Sequence, residues 1–352
     1  MKIVKIEVAT ELCPLRVPFK TALRTAYEIE NILVKVHTEN GLMGIGATVP
    51  TWVITGDSKE SIIAALQGPI TNALLNQDAR NLNALLLKVQ KSCINNSSAK
   101  AAIDIALHDL FAKWLNQPLY AVLGGHKPLT TCMTIGLDDP NVMKHAAMDA
   151  VEKGFSALKI KVGNAPDKDI ERISTIVDAI PSHIRLRLDA NQGWRAKDAI
   201  RVIHELERLA FNIDWVEQPV HAKDFEGMKY VTDHVNMKIM ADESVFAPQD
   251  AFALLKDRCV DLLNIKLLKC GGIGEAIKIA DLGALYGVEC MIGSMMESSI
   301  SVTAAAHFAA SHPNVLYCDF DAPLWLTESP RGIIYQGEDV KLPDAMGLGV
   351  VI

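Results

Sequence analysis

Eight short apolar segments, TCMTIGL, ALKIKVG, RLRLDAN, IDWVEQP, KIMADES, LLNIKLLK, VECMIGS and LYCDFDA, recur at intervals of roughly 22 to 30 residues from Thr131 onward. Amphipathic stretches such as 167–180, 196–209 and 274–286 lie between them. A strand followed by a helix and a second strand returns parallel through a right-handed crossover, so eight such units close most naturally as a (β/α) barrel. The first 125 residues read differently. KIVKIEVAT alternates, ILVKVHT runs into the turn ENGLMG, and helical periodicity holds from Ser61 through Trp114, which describes an α+β unit. After Pro323 the chain lapses into turns and short strands and is expected to return to that unit. The expected organisation is an α+β capping or lid domain over 1–125, a (β/α) barrel carrying the active site over 126–322, and a tail over 323–352. No Gly/Ser linker separates them, so they should pack as one body.

Length and composition agree with this. At 352 residues the chain suffices for about two domains, or for a large barrel with a smaller companion. Its 49% hydrophobic and 22% charged residues exclude disordered, collagenous and fibrous chains. With a net charge of −7 and no dense Lys/Arg block, neither nucleic acid nor an anionic membrane surface is an expected partner; small molecules are. The longest stretch free of Asp, Glu, Lys and Arg, Ser298 to Cys318, is interrupted by His and Pro and would span a bilayer poorly. Glu7 arrives before an apolar run of signal-peptide length, so export is not expected. The seven cysteines are odd in number, scattered and never in C-x-x-C spacing, as befits buried thiols in a reducing cytoplasm.

The C-terminal ends of parallel barrel strands converge on one mouth, where a charged side chain needs a partner or a task. Asp189, Glu217 and Asp242 fall on three successive strand segments, 28 and 25 residues apart. Any one of them alone would pass for a helix cap. Three aimed at one volume repel each other, and a hard divalent cation bound through oxygen relieves that repulsion; Mg²⁺ suits three carboxylates that leave positions for substrate oxygens. Lys159 and Lys161 share a face among Leu158, Ile160 and Val162, and their crowding is expected to depress at least one pKa toward the range of a base. Lys266 stands four strands along from Lys161, half way round a barrel of eight, so the two amines should face one another across the mouth. Opposed amines flanking a metal point to removal of a proton from carbon next to a metal-bound carboxylate, and return of a proton on the other face. General base catalysis supplies only about 3–5 kcal/mol of the roughly 8–23 kcal/mol by which enzymes lower barriers, so the larger share must come from stabilising the enediolate charge. Asp319 and Asp321, two apart in CDFDAPLWL, are not needed for that metal; a cationic substrate group such as a free α-ammonium is their expected partner. A Schiff-base aldolase and a binding barrel without activity are the competing readings of such lysines.

K-I-K at 159–161, LDAN at 188–191, VEQP at 216–219, ADES at 241–244 and NIKLLKCGGI at 264–273 resemble the muconate-lactonizing subgroup of the enolase superfamily, whose sites pair a Lys or His base with Mg²⁺. D-F-D at 319–321 narrows the resemblance to dipeptide epimerases. FKTALRT at 19–25, VITGDS at 53–58, SAKAA at 98–102, RLDANQGWR at 187–195 and TAAAHFAA at 303–310 further resemble L-Ala-D/L-Glu epimerases of the Bacillus type.

The resemblance implies an α/β fold, a modified TIM barrel (β/α)7β with an N-terminal α+β capping domain completed by the C-terminal tail. It implies Asp189, Glu217 and Asp242 as ligands of one Mg²⁺ per subunit, and Lys161 and Lys266 as the opposed acid/base pair. Lys159 would tune Lys161 and help neutralise the substrate carboxylate, and Asp319 and Asp321 would hold the α-ammonium group. Arg24, on the loop between Pro18 and Ile29, would meet the glutamyl side-chain carboxylate. Thr134 and the segment Gly293 to Ser298, with Ser294, Met296 and Glu297, would shape the rest of the pocket; Glu297 serves equally as a partner of Lys266. Loops around Arg24 and over Thr51 to Ser58 would close as a lid. The implied activity is a Mg²⁺-dependent isomerase that inverts the α-carbon of a dipeptide's C-terminal residue by two-base 1,1-proton transfer. L-Ala-L-Glu and L-Ala-D-Glu are the expected pair, and murein-peptide breakdown by a cytoplasmic homo-oligomer the expected setting. The same site would also serve another dipeptide, an N-acylamino acid racemase, an o-succinylbenzoate synthase or a cycloisomerase, but the last three have no need of D-x-D.

Overall fold

The computed structural model describes residues 1–22, 24–163, 165–327 and 332–352; Leu23 of the 19–25 segment and 328–331 of the tail lie outside the described residues. At the N-terminus, β1 (Ile3–Lys20) pairs antiparallel with β2 (Thr25–Thr38), which pairs antiparallel with β3 (Met43–Thr48). Alternation along β2 sends Ile32, Val34 and Val36 fully inside, against the helix Ser97–Trp114. That helix approaches β3 so closely that a Cβ on Gly46 would meet the Ala102 carbonyl oxygen at 1.9 Å, so only glycine fits there.

Arg24 does lie between Pro18 and Ile29, but the loop is much shorter than those bounds: cross-strand pairs Phe19–Ala26 and Lys20–Thr25 carry the β1–β2 ladder almost to Arg24, which occupies a tight hairpin tip. The ladder is irregular between Pro14 and Phe19, where Pro18 has no N–H to donate. The tip docks on the barrel, with Leu137 N donating to Lys20 O (3.0 Å) and Lys20 paired with Asp138 (2.5 Å).

After the two-residue β4 (Leu129–Thr130), the eight expected strands all form: β5 (Met133–Ile135), β6 (Ala157–Lys161), β7 (Arg185–Asp189), β8 (Ile213–Glu217), β9 (Ile239–Ala241), β10 (Leu262–Ile265), β11 (Glu289–Gly293) and β12 (Val315–Asp319). They make one parallel sheet in chain order, from β5 at one end to β12 at the other. Side chains bridge the seam between those ends: Phe320 N donates to Thr131 Oγ1 (2.8 Å) and Thr134 N to Asp321 Oδ2 (2.7 Å). The result is a nearly closed barrel. The crossover helices bury one stripe each; in Ala196–Arg208 these are Ala199, Val202, Ile203 and Leu206, the spacing of a helix lying on a sheet. Register brings Lys161, Asp189 and Glu217 to one level, since Lys161 pairs with Asp189 and Asp189 with Glu217.

The tail meets the N-terminal unit through Thr327 N donating to Pro14 O (3.0 Å) and Leu348 N to Asp109 Oδ1 (2.8 Å). Between those points, β13 (Ile334–Gln336) and β14 (Asp339–Lys341) join β4 in a three-stranded sheet. Cys132, Cys259, Cys270, Cys290 and Cys318 are buried. Among the described residues no helix is long and apolar enough to cross a membrane.

Candidate active site

Asp189 ends β7, Glu217 ends β8 and Asp242 follows β9, and each is at most 1% exposed. One oxygen from each lies within 4.8 Å of the others. Three carboxylates packed this tightly without water need positive charge. Burial pushes Glu217 up to about 8, with Asp189 adding to the rise. Burial would raise Asp189 as well, but Lys161 and Lys159 outweigh it and hold that group at about 2. An all-oxygen cluster of this size fits a hard divalent cation such as Mg²⁺.

Four lysines, Lys159, Lys161, Lys266 and Lys269, crowd around the triad. Lys159 Nζ lies 2.9 Å from Glu217 Oε2, 3.1 Å from Asp189 Oδ2 and 2.9 Å from Asp319 Oδ2. Lys161 Nζ is 2.6 Å from Asp189 Oδ2, and Lys266 Nζ is 2.7 Å from Asp242 Oδ2. Lys161 ends β6 and Lys266 follows β10, so the two amines reach one cavity from strands four apart, with the acids on the strands between. The depression expected for one of the crowded pair is not found at Lys159. Burial alone would lower Lys159 and Lys266, yet Asp319, Glu217 and Asp189 hold Lys159 well above its ordinary value, and Asp242 raises Lys266. The carboxylates that face Lys159 outweigh both its burial and the ammonium group beside it.

Asp319 and Asp321 both line the cavity, on either side of buried Phe320. They are not equivalent. Burial would raise Asp319, but Lys159 holds it below the usual carboxylate range. Asp321 is pushed up to about 6 by burial and by Asp319, and its Oδ2 accepts hydrogen bonds from Thr134 N (2.7 Å) and Trp325 Nε1 (3.1 Å).

Thr134, Ser294, Met296 and Arg24 line the same cavity, together with Val53 and Ile54 of the 51–58 segment. Burial lowers the Arg24 guanidinium, which makes no ion pair with a described residue. Glu297 does not line the cavity. It is buried behind it, with Oε1 accepting from Met295 N (2.7 Å), and burial pushes it up to about 7.

Sequence reasoning missed three supports of the acids. Lys269, wholly buried, puts its ammonium 2.5 Å from Asp242 Oδ1 and also on the Asp242 carbonyl oxygen. It stands one turn beyond Lys266 in KLLK, on the short helix Leu267–Cys270, and that spacing was the available signal. Asn264 donates to Glu217 Oε1 (2.8 Å), and Asn191 N donates to Asp189 Oδ1 (2.9 Å) while its side-chain amide reaches Glu243 Oε1 (3.1 Å). Glu243, directly after Asp242, is buried and pushed up to about 7 by that burial and by Asp242. Polar side chains within apolar strand text carry no distinctive pattern, so these contacts had to be seen.

Comparison with known proteins places this geometry. Residues 3–124 match the family described as mandelate racemase / muconate lactonizing enzyme, N-terminal domain, and residues 142–352 match the family described as enolase C-terminal domain-like. The L-Ala-D/L-Glu epimerase of Bacillus subtilis is 45% identical over 100% of this chain and 97% of its own length. A substrate-liganded complex of that enzyme superposes with a TM-score of 0.98, covering 100% of this chain and 99% of the other. The hydrophobic dipeptide epimerase of Enterococcus faecalis is 41% identical over 99% of both chains. The crystal structure of the Enterococcus faecalis dipeptide epimerase complexed with Mg and L-Leu-L-Tyr has a TM-score of 0.96, at 41% identity and 99% coverage of both chains.

Proposed function

The chain belongs to the enolase superfamily, in the branch of mandelate racemase and muconate lactonizing enzyme, and on that premise we propose that it is a Mg²⁺-dependent dipeptide epimerase inverting the α-carbon of the C-terminal residue. One observation carries the reading: Lys161 and Lys266 reach a single cavity from β6 and β10, and Asp319 and Asp321 line that same cavity. Asp189, Glu217 and Asp242 hold the metal, one ion per subunit, and bound Mg²⁺ supplies positive charge against a substrate carboxylate whose negative charge grows as its α-proton leaves.

One of Lys161 and Lys266 takes the α-proton as the C–H bond breaks and its electron pair spreads into the carboxylate. The other delivers a proton to the opposite face, and the new C–H bond has the inverted configuration. A lysine paired with a carboxylate keeps its proton, so Lys266 becomes basic when Asp242 is engaged elsewhere and the attraction that raises it is removed. Lys159, pinned by three acids, tunes Lys161 and adds positive charge for the substrate carboxylate. Asp319 and Asp321 receive the α-ammonium group, and Thr134, Ser294 and Met296 complete the wall. Glu297 contributes from behind.

L-Ala-L-Glu and L-Ala-D-Glu are the preferred pair in this reading, because the Arg24 guanidinium is a half-buried cation on the cavity wall without an acidic partner among the described residues. The N-terminal unit over 1–125 acts as a cap above the barrel of 126–322, with the 323–352 tail tying the two together. The reading extends to murein-peptide breakdown in the cytoplasm by a homo-oligomer. A library of L,L-dipeptides assayed in D₂O should show α-deuterium entering the C-terminal residue, most strongly for acidic ones. EDTA should abolish it and Mg²⁺ restore it. Exchange confined to N-acylated amino acids would replace the dipeptide reading with an N-acylamino acid racemase.

A further inference from the structure

Trp325 lies outside the cavity lining, yet it touches two residues that line it. Its indole Nε1 donates to Asp321 Oδ2 (3.1 Å). Its ring meets Phe19 edge-on, with centroids 5.0 Å apart at 81°. Phe19 lines the cavity and pairs with Ala26 at the hairpin tip that carries Arg24. Trp325 is also the last residue of the short helix Ala322–Trp325, which begins directly after Asp321. It is 9% exposed, and Leu326 behind it is fully buried.

A carboxylate that must receive an ammonium group at a defined angle has to be stopped from rotating. Asp319 is held by Lys159. Asp321 is held by no lysine; Thr134 N and Trp325 Nε1 restrain it instead, and both bonds fall on the same oxygen. The Thr134 N bond comes from backbone, and the Thr134 side chain adds to it. The indole bond is a choice of this sequence. We propose that Trp325 is a positioning residue that acts through Asp321, fixing Oδ2 so that Oδ1 is presented to the substrate's ammonium group. Its contact with Phe19 braces the hairpin that carries Arg24, so one buried ring supports recognition of both ends of the dipeptide. The inference rests on the dipeptide reading above.

Trp325→Phe keeps a ring against Phe19 and removes only the N–H. The KM for L-Ala-L-Glu should rise about tenfold with kcat changed by no more than about twofold, because an interaction made equally in ground and transition states is lost. N-acetyl-L-Ala-L-Glu, which lacks the ammonium group, should inhibit wild type and variant equally. An unchanged KM, or an equal loss of both ligands, overturns the inference while leaving the epimerase reading intact. A wild-type enzyme that turns over no dipeptide sinks the epimerase reading and this inference with it. If the variant is too unstable to assay, the wild type decides by NMR of the indole N–H signals of its five Trp residues. One signal should move on saturation with L-Ala-L-Glu and stay in place with the N-acetylated ligand; no such signal overturns the inference.

Discussion

Lys269, with no exposed surface on its side chain, places its ammonium 2.5 Å from Asp242 Oδ1, leaving Oδ2 as the oxygen that meets Lys266. Removing Lys269 leaves Asp242 Oδ1 buried without its ammonium partner, while Lys266 stays on Oδ2. Lys269→Met should therefore destabilise the metal-free protein at pH 7 by about 3–5 kcal/mol, read by chemical denaturation. The added change Asp242→Asn should recover part of that loss in the double variant. A loss below about 1 kcal/mol, the size of an exposed pair, would show that the contact has little energetic weight.

Lys161→Ala and Lys266→Ala each remove one of the two amines that reach the cavity from β6 and β10. Net epimerisation should fall by at least about 10²–10⁴ in both, the ordinary contribution of a general base. Followed in D₂O from each stereoisomer separately, either variant can still exchange the proton on the face its remaining lysine serves. Full epimerisation by both variants is the outcome the two-base assignment does not survive.

Three buried carboxyls, Glu217, Glu243 and Glu297, are raised from an ordinary 4.5 to about 8, about 7 and about 7, in each case chiefly by burial. A group that holds its proton more tightly when folded adds stability below its unfolded value, and loses that contribution as pH rises through the folded one. The metal-free protein should therefore lose stability between about pH 4.5 and pH 8. Mg²⁺ binding requires Glu217 ionised and should tighten over the upper part of the same window. Calorimetric titrations at pH 6 and pH 8 test this; tighter binding at pH 6 contradicts it.

Arg24 stands at the hairpin tip with no acidic partner among the described residues, and a charge-assisted hydrogen bond from it contributes about 1.5–3 kcal/mol. Arg24→Met should lower kcat/KM for acidic C-terminal residues by about 10- to 100-fold and leave apolar ones nearly unchanged. An unaltered substrate profile would move the specificity contact elsewhere on the cavity wall.

Much of the site was legible because the βα repeat is periodic. Asp189, Glu217, Asp242, Lys161 and Lys266 recur at strand ends, and in a parallel barrel all strand ends face one way. Chain order alone thus places them on one mouth, and spacing alone places the lysines across from one another. What periodicity cannot carry is pairing between elements far apart in the chain. The sign of the lysine shifts came from which acid faces which amine, such as Lys159 with Asp319. The tight hairpin at Arg24 came from a ladder that continues past two prolines, where local text reads as loop.

By itself, then, the amino-acid order determined the barrel, its N-terminal α+β unit and the chemical inventory of the mouth, since apolar period and strand-end charge are local properties that survive any detail of packing. Tertiary structure alone decided that Lys269 locks Asp242, that Trp325 reaches Asp321 and Phe19 together, and that Glu297 stands behind the cavity. Those are contacts of a few ångströms between buried groups. Their geometry follows from how neighbouring side chains fill the remaining space, and no repeat in the chain encodes it.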